Sequence, residues 1–170
     1  MKLYHFTSFR HLRGIALHGL TVGDVPTDLA LNKGRCGVWL TSNGSPHGHG
    51  LEGSVANKSQ FRLTVDVPDE FPLVRWVEWA AKHVTPATVR GLHSIAPSFD
   101  SWYVYFGVID RNAIIECVDM QTGSVVENWT AKPPSPLDAK PVPAKQRAAW
   151  HKKLLREVAR ASMPVAHATP

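Results

Sequence analysis

The sequence predicts an α+β domain with a mixed β core of about six strands, flanking helices and a basic helix near its C-terminal end. Two observations support this fold class. Short runs rich in β-branched and aromatic residues alternate with segments that have helical periodicity. A chain of 170 residues with 44% hydrophobic content can also bury one core without disulfides or a structural metal.

The chain begins with a predicted strand and helix. Residues 3–6 form a short run of apolar and aromatic residues that contains His5. Ser8 is a suitable N-cap for the helix that follows, and Gly19 is a suitable residue to end it. The apolar side of this helix comprises Leu12, Ile15, Ala16 and Leu20. A titratable residue in the middle of the first strand is either part of a binding site or a half-buried core histidine bonded to a backbone carbonyl, and the sequence leaves both open.

Polar and glycine-rich segments surround the second predicted strand. A polar loop is expected over residues 21–35, and residues 37–42 have the β-branched and aromatic content of a strand. Residues 43–50 consist of glycine, proline, serine and asparagine apart from two histidines, which predicts a loop. Residues 61–67 form the clearest strand, because apolar and polar side chains alternate throughout.

Helices and strands are both predicted in the following segment. Residues 73–83 and 86–92 have helical periodicity. Strands are expected over residues 102–109, 113–118 and 125–129, where β-branched and aromatic residues are concentrated. The domain is therefore expected to span residues 1–132.

The composition changes after the domain. A proline-rich linker is expected over residues 133–143, a basic amphipathic helix over 144–161 and a flexible tail over 162–170. Twelve basic and twelve acidic side chains precede Pro133, whereas seven basic and two acidic ones follow, so the net charge of +5 belongs to this part. Any attraction to nucleic acid is expected of the helix. The basic residues assigned to this contact are Lys152, Lys153, Arg156 and Arg160.

The cysteines and the apolar segments indicate the compartment. Cys36 and Cys117 lie in apolar runs and are expected to be reduced core residues of a cytoplasmic protein. The N-terminal residues lack the apolar stretch of a signal peptide, and no window approaches the roughly 18 apolar residues of a membrane span. Export and membrane insertion are not expected.

The histidines of residues 47–49 are the closest approach to a metal motif. Two imidazoles at this spacing can share one ion, but a zinc site requires a third and a fourth ligand. The sequence supplies none at a matching spacing. The sequence therefore predicts no metal site, and an ordinary polar loop is the expected structure.

A family resemblance is carried by His5, by Thr7 and Ser8 after it, by the helix ending in Gly19-Leu20, and by the strand GVWLTS. These elements, in this order, resemble the ADP-ribosyltransferase superfamily, which includes the RNA 2′-phosphotransferases and the DNA-targeting ADP-ribosyltransferase toxins. The resemblance covers residues 3 to about 118. The chain is also similar to a family of short uncharacterised bacterial and phage proteins that share VWLT, GHGL and WYVYFG. The first resemblance implies an ADP-ribosyltransferase-like fold that binds NAD.

The resemblance also implies roles for the residues of the first strand. His5 would hydrogen-bond a ribose hydroxyl of NAD. Backbone groups of Phe6, Thr7 and Ser8 would hold the nicotinamide amide. A neutral imidazole suits this role because it offers one donor and one acceptor to a sugar hydroxyl.

The strand over residues 37–42 would supply the pocket for nicotinamide. Trp39, Thr41 and Ser42 are the residues assigned to it, since an aromatic face suits a flat pyridinium ring. Packing in the core is the alternative for Trp39. Arg62 on the polar side of its strand could meet the pyrophosphate, and a solvated side chain or an ion pair with Asp66 is the alternative.

The catalytic acid of the superfamily has no secure counterpart. Its transferases usually carry a glutamate at the start of a later strand, where the glutamate bonds the ribose 2′-hydroxyl and stabilises an oxocarbenium-like transition state. Here that strand begins with Trp102, and Asp100 is the nearest acid. An aspartate can supply the same electrostatic stabilisation with a shorter reach. Glu116 and Glu127 on neighbouring strands stay open as alternatives.

Two functions are consistent with these residues. The first is an NAD-dependent transferase that moves ADP-ribose to a macromolecule, either nucleic acid or protein. The second is a non-catalytic interaction protein of a phage or mobile element, which binds nucleic acid or a host protein through its aromatic domain and basic helix. The oligomeric state is left open.

Overall fold

An antiparallel sheet of six strands organises the computed structural model, which describes residues 1–52 and 56–162. Within these residues the strands are β1 (Lys2–Thr7), β2 (Asp24–Asp28), β3 (Lys33–Cys36), β4 (Val38–Thr41), β5 (Phe61–Asp66), β6 (Leu73–Arg75), β7 (Trp102–Tyr105) and β8 (Ile114–Asp119). The sheet has the order β6-β7-β4-β1-β5-β8, and β2 and β3 form a separate hairpin. The predicted α+β class with about six core strands is confirmed, but the sheet is antiparallel throughout, whereas a mixed core was expected.

Four α-helices surround the sheet in the described part of the chain. They are α1 (Phe9–His18), α2 (Trp76–His83), α3 (Pro86–Ile95) and α4 (Arg147–Ala161). Ser8 and Gly19 flank α1 as predicted. Gly19 has a φ of 72°, and a Cβ at this position would lie 2.1 Å from the carbonyl oxygen of Ile109. Only glycine fits there, which brings the end of α1 against the segment after β7.

One face of the sheet packs against α1. Alternation along β1 and β5 directs Leu3, Leu63 and Val65 to this face, where they are fully buried. Leu12 and Ile15 of α1 complete the same cluster. The helix is therefore held by the apolar stripe that its sequence predicted.

The opposite face carries a cluster of tryptophans. Trp76 and Trp79 of α2 pack against Trp102 and Val104 of β7, and Trp39 of β4 joins them. Trp76 is fully buried, and its indole N–H donates to Nε2 of His93 at 3.0 Å. The aromatic density of residues 102–105 thus reflects a central strand with a packed face.

Three predicted elements differ from the structure. The polar loop expected over residues 21–35 contains the hairpin β2–β3, which the polar sequence concealed because only Val25 of β2 is buried. The helix expected from Leu73 begins at Trp76, since Leu73–Arg75 pairs with the edge of β7. The strand expected over 125–129 is reduced to one bridge between Val118 and Val125.

The strand expected over 102–109 is also shorter than predicted. Regular pairing ends at Tyr105, and Ile109 then pairs with Leu20 in an isolated bridge. A Cβ on Gly107 would lie 2.6 Å from the ring of Tyr105, so the chain turns sharply here. The segment from Ser101 to Ile109 therefore pairs with β4 in its first part, and its last residue pairs with the chain at the end of α1.

The proline-rich segment lacks regular secondary structure over residues 133–143, yet it lies along the domain. The backbone N–H of Ala139 donates to the Arg10 carbonyl at 2.8 Å, and the Thr21 hydroxyl donates to the Val142 carbonyl at 2.6 Å. A 3-10 turn over Ala144–Gln146 then leads into α4. Of the tail expected over 162–170, residues 163–170 lie outside the described residues.

Candidate functional site

A cleft opens where β1 and β4 separate. These neighbouring strands share a single registered pair, Tyr4 with Thr41, although β1 pairs with β5 along its whole length. The space between them has a volume of about 660 Å³. Its walls come from β1, β4, α1, the hairpin, the segment 139–142 and α4. We call this space the β1–β4 cleft.

His5 bridges the gap between the two strands. Its Nδ1 lies 2.9 Å from the carbonyl oxygen of Trp39. A carbonyl only accepts, so Nδ1 carries the proton, and the neutral ring keeps its lone pair on Nε2. Within residues 1–52 and 56–162, Nε2 has no hydrogen-bond partner, and His5 lines the cleft. The strand therefore presents a hydrogen-bond acceptor to whatever enters.

The surroundings of His5 keep its ring neutral. Burial lowers the pKa of His5 to about 4, outweighing the Trp39 carbonyl, which raises it. The positive charge of Lys58 and the neighbouring His11 lower the pKa of His5 further. At neutral pH the residue thus acts as a fixed acceptor and not as a cation.

Trp39 forms the wall opposite β1. Its indole N–H donates to the Asp24 carbonyl at 2.7 Å. Its ring centroid lies 4.9 Å from that of Trp76 and 5.2 Å from that of Trp102. The ring is half-buried, packs against the core and also lines the cleft.

The other residues assigned to NAD fall into two groups. Phe6, Thr7 and Thr41 line the cleft together with His5 and Trp39. Ser8 is buried, and its hydroxyl lies 2.8 Å from Nδ1 of His11, which itself lines the cleft. Ser42 is exposed beyond the end of β4 and lies outside the lining.

Arg62 lies outside the lining of the cleft. Its guanidinium carbon is 4.8 Å from the centre of the Tyr4 ring, and one of its Nη atoms donates to the Gly44 carbonyl at 3.3 Å. Its other Nη lies 3.8 Å from the carboxylate of Glu116. The partner is thus Glu116, whereas the sequence suggested Asp66. These contacts hold Arg62 against the sheet.

The structure does not bring the predicted acids into the cleft. Asp100 is exposed in the 3-10 turn Phe99–Ser101, and Glu127 is exposed after the last bridge. Glu116 lies on β8, where its Oε2 accepts a hydrogen bond from the Thr64 hydroxyl at 2.9 Å. Of the described residues that line the cleft, Asp24 alone carries a carboxylate.

Asp24 is a residue that the sequence analysis missed. Its Oδ1 lies 2.8 Å from Nε2 of His151 on α4, and its side chain is 32% exposed. The residue lies in the predicted polar loop over residues 21–35, where an acidic residue gives no sign of a site. Its carboxylate could have been singled out only if the hairpin and the docking of α4 had been foreseen.

His49 has a structural environment. Its Nε2 donates to the Ser45 carbonyl at 2.8 Å, and its Nδ1 accepts from the Trp102 indole at 3.3 Å. Its ring stacks on Phe6 with centroids 5.2 Å apart. Burial lowers the pKa of His49. Both nitrogens are occupied, and the described residues contain no cluster of three groups able to hold a metal ion.

The C-terminal part closes one end of the cleft. Residues 139–142 line it together with Trp150 and Leu154 of α4. Arg147 fixes the start of this helix, because its Nε donates to the Thr21 carbonyl at 3.0 Å and its Nη2 to the Cys36 carbonyl at 3.3 Å. The helix is therefore part of the site's architecture.

The basic residues predicted to contact nucleic acid all lie on the outer surface of α4. Lys152, Lys153, Arg156 and Arg160 are exposed. Lys153 lies 3.6 Å from Glu157, one helical turn away. A surface pair of this kind is worth only a few tenths of a kcal/mol, about 0.3–0.5. The positive surface thus remains available to a partner.

Comparison of the chain with protein-family models, curated proteins and solved structures finds no match. In residues 1–52 and 56–162, no helix combines the length and the apolar character required to cross a membrane. The site must accordingly be interpreted from its own chemistry.

Proposed function

We propose that the β1–β4 cleft binds NAD and that the chain is an ADP-ribosyltransferase-like protein that transfers ADP-ribose to a macromolecule. The observation that carries the proposal is the neutral His5, whose Nδ1 is tied to the Trp39 carbonyl while its Nε2 faces a cleft of about 660 Å³. A cleft of this size accommodates a nucleotide-sized ligand. The family resemblance of residues 3 to about 118 supports the same assignment.

The lining fits the parts of NAD. The Nε2 of His5 would accept a hydrogen bond from a ribose hydroxyl, and the tie to Trp39 fixes the direction of this acceptor. The aromatic side chains of Trp39 and Phe6 would contact the flat rings. Lys58, exposed at the cleft, would attract the pyrophosphate.

Transfer requires a group that stabilises positive charge. When the bond between nicotinamide and ribose breaks, its electron pair leaves with nicotinamide, and positive charge develops on the ribose. A carboxylate near this carbon lowers the barrier. The resemblance points to Asp100 or Glu116, whereas the lining favours Asp24. We therefore propose Asp24 as the acid, with His151 positioning its carboxylate.

Calorimetric titration with NAD tests the binding step. His5→Phe removes the acceptor and should weaken NAD binding about tenfold, the magnitude of one hydrogen bond. His47→Phe makes the same change at an exposed loop histidine outside the lining and should bind NAD like the unaltered protein. Absence of NAD binding by the unaltered protein, or equal affinity of the two variants, would contradict the proposal.

A second candidate function rests on the four exposed basic residues of α4. In this case the chain is a non-catalytic interaction protein that holds nucleic acid or a host protein. The excess charge of this part supports it, since phosphate contacts depend on Lys and Arg. The two free cysteines are consistent with a cytoplasmic location for either function.

A further inference from the structure

Helix α4 carries a second concave surface on the side opposite to the β1–β4 cleft. Trp150 and Leu154 face the cleft, whereas helical periodicity places Ala148, Leu155 and Ala159 on the other side. There a groove of about 540 Å³ runs between α4 and the tip of the β2–β3 hairpin. We call it the α4 groove. Its lining residues are Leu31, Asn32, Cys36, Ala148, His151, Lys152, Leu155, Arg156 and Ala159.

The floor of the α4 groove is aliphatic. Leu31 at the hairpin tip is 61% exposed, and Leu155 faces it from the helix. Leu29, on the same hairpin, is also exposed. Exposed leucines at the rim of a concave surface are typical of a binding site for apolar side chains. None of the groove's described lining residues is a phenylalanine, tyrosine or tryptophan, so stacking of nucleobases is not favoured.

The edge of the groove is positively charged. Lys152 and Arg156 are exposed along one side, one helical turn apart. Neither has a carboxylate within 4.0 Å in residues 1–52 and 56–162. Nε of Arg156 donates to the Lys152 carbonyl at 3.3 Å. Among the groove's described lining residues, the other titratable side chains are Cys36 and His151, and Nε2 of His151 lies 2.8 Å from the Asp24 carboxylate.

We propose that the α4 groove binds an acidic segment of a partner protein. Two or more aliphatic side chains of the segment fill the floor between Leu31 and Leu155. Its carboxylates pair with Lys152 and Arg156, the latter in the bidentate geometry that guanidinium offers. The charge complementarity favours this occupant over a neutral peptide, and the aliphatic floor favours it over nucleic acid. The proposal does not rest on NAD binding, because the groove and the cleft lie on opposite sides of α4. The two sites are connected through His151, which lines the groove and contacts Asp24.

Selection from a displayed library of random peptides tests the proposal on the full chain. We expect the enriched peptides to combine aspartate or glutamate with leucine, isoleucine or valine. Their synthetic copies should protect Cys36 from alkylation, because this half-buried thiol lines the groove. The other cysteine, Cys117, is buried, and burial raises its pKa to about 11, so its thiol does not interfere.

Matched variants decide where the peptides bind. Lys152→Gln with Arg156→Gln should weaken binding at least tenfold, whereas Lys153→Gln with Arg160→Gln removes the same charge outside the groove and should change it less than twofold. Leu31→Ser should weaken binding similarly. Leu137→Ser alters another exposed leucine, 66% exposed and outside the lining, and should have no effect.

Three outcomes would overturn the proposal. The enriched peptides could lack an acidic bias, or both charge pairs could matter equally, which would indicate diffuse attraction. A single-stranded oligonucleotide could protect Cys36 and depend on Lys152 and Arg156 more than on Lys153 and Arg160. That result would assign the groove to nucleic acid.

Discussion

His5 explains how the first strand tolerates a polar residue. The Trp39 carbonyl points into the gap where β1 and β4 no longer pair, so it lacks a ladder partner from the backbone of β1. The imidazole supplies the missing donor. An unpaired buried carbonyl would cost about 1–3 kcal/mol, and the histidine avoids this cost while leaving an acceptor free on its other nitrogen. His5 thus stabilises the backbone at the gap and also offers a hydrogen-bond acceptor to a ligand there.

The pKa of His5 predicts how stability depends on pH. The pKa is about 4 in the folded chain and near 6.5 in the unfolded chain, so the unfolded state binds more protons between these values. Stability should be complete above pH 6.5 and should fall as the pH decreases toward 4. The loss attributable to His5 is on the order of 3 kcal/mol. Denaturant unfolding at pH 7 and pH 5 measures the larger part of this loss, about 2 kcal/mol.

His5→Phe removes this titration and should flatten the pH dependence of the free energy of unfolding. Burial also lowers the pKa values of His11, His49 and His93, so the variant should retain part of the slope. If the free energy of unfolding changes with pH equally in the unaltered protein and in His5→Phe, burial does not lower the pKa of His5.

The placement of Asp24 predicts which acid matters for NAD turnover. Asp24→Asn should lower the rate of nicotinamide release about 100-fold, the magnitude of losing one electrostatic stabiliser. Asp100→Asn should change it little, because that carboxylate is exposed outside the cleft. His151→Gln removes the imidazole that contacts Asp24 but keeps the carboxylate, and should lower the rate far less. A large loss in Asp100→Asn alone would return the role to Asp100.

At the scale of elements, the sequence predicted the helices and strands whose own residues show a clear apolar pattern or clear end signals. Strand β5 alternates throughout, and α1 has a cap, an apolar stripe and a terminal glycine, so both were placed within two residues. Strands β2 and β6 could not be predicted, because their polar or short sequences pair only through contacts with distant segments. The boundary of α2 shifted to Trp76 for the same reason.

The candidate site shows the same division. His5 and Trp39 could be singled out because each is conspicuous in its strand. Asp24 and the contribution of α4 could not, because they depend on a helix that docks more than 100 residues away along the chain, as the Asp24–His151 pair shows. The placement of Arg62 against Tyr4 likewise depends on pairing between β1 and β5.

Removal of residues 133–170 tests the role of the C-terminal part. Both buried clusters are built from residues up to Trp129, so the truncated chain should still fold cooperatively. Its melting temperature should fall by several degrees, because the contacts of Arg147 and the Asp24–His151 pair are lost. Under the second candidate function, affinity for nucleic acid at low salt should disappear with the charge.

Thermal unfolding and a salt titration of oligonucleotide binding provide the measurements. The full-length protein should lose affinity steeply as salt increases. A truncated chain that fails to fold would show that residues 139–142 and α4 belong to the folding unit. If the full-length protein does not bind nucleic acid even at low salt, the second candidate function would be restricted to a protein partner.

At the scale of the whole molecule, the excess positive charge and the first-strand residues of the cleft belong to different parts of the chain. The region before Pro133 is electrically balanced and contains the cleft residues His5 and Trp39. The region after it carries the entire net charge of +5, and α4 presents this charge outward while one of its sides closes the cleft. A partner bound to the outer surface of α4 would therefore contact the same helix whose other side closes the cleft.

The single registered pair between β1 and β4 also divides the sheet mechanically. On one side, β6, β7 and β4 are joined by continuous ladders, and on the other side β1, β5 and β8 are joined in the same way. These two groups of three strands are joined by one registered residue pair, Tyr4 with Thr41. The backbone there resists separation weakly compared with the ladders on either side. A ligand bound between the two groups of strands would either hold them apart or connect them. Its size would set the angle between the two groups.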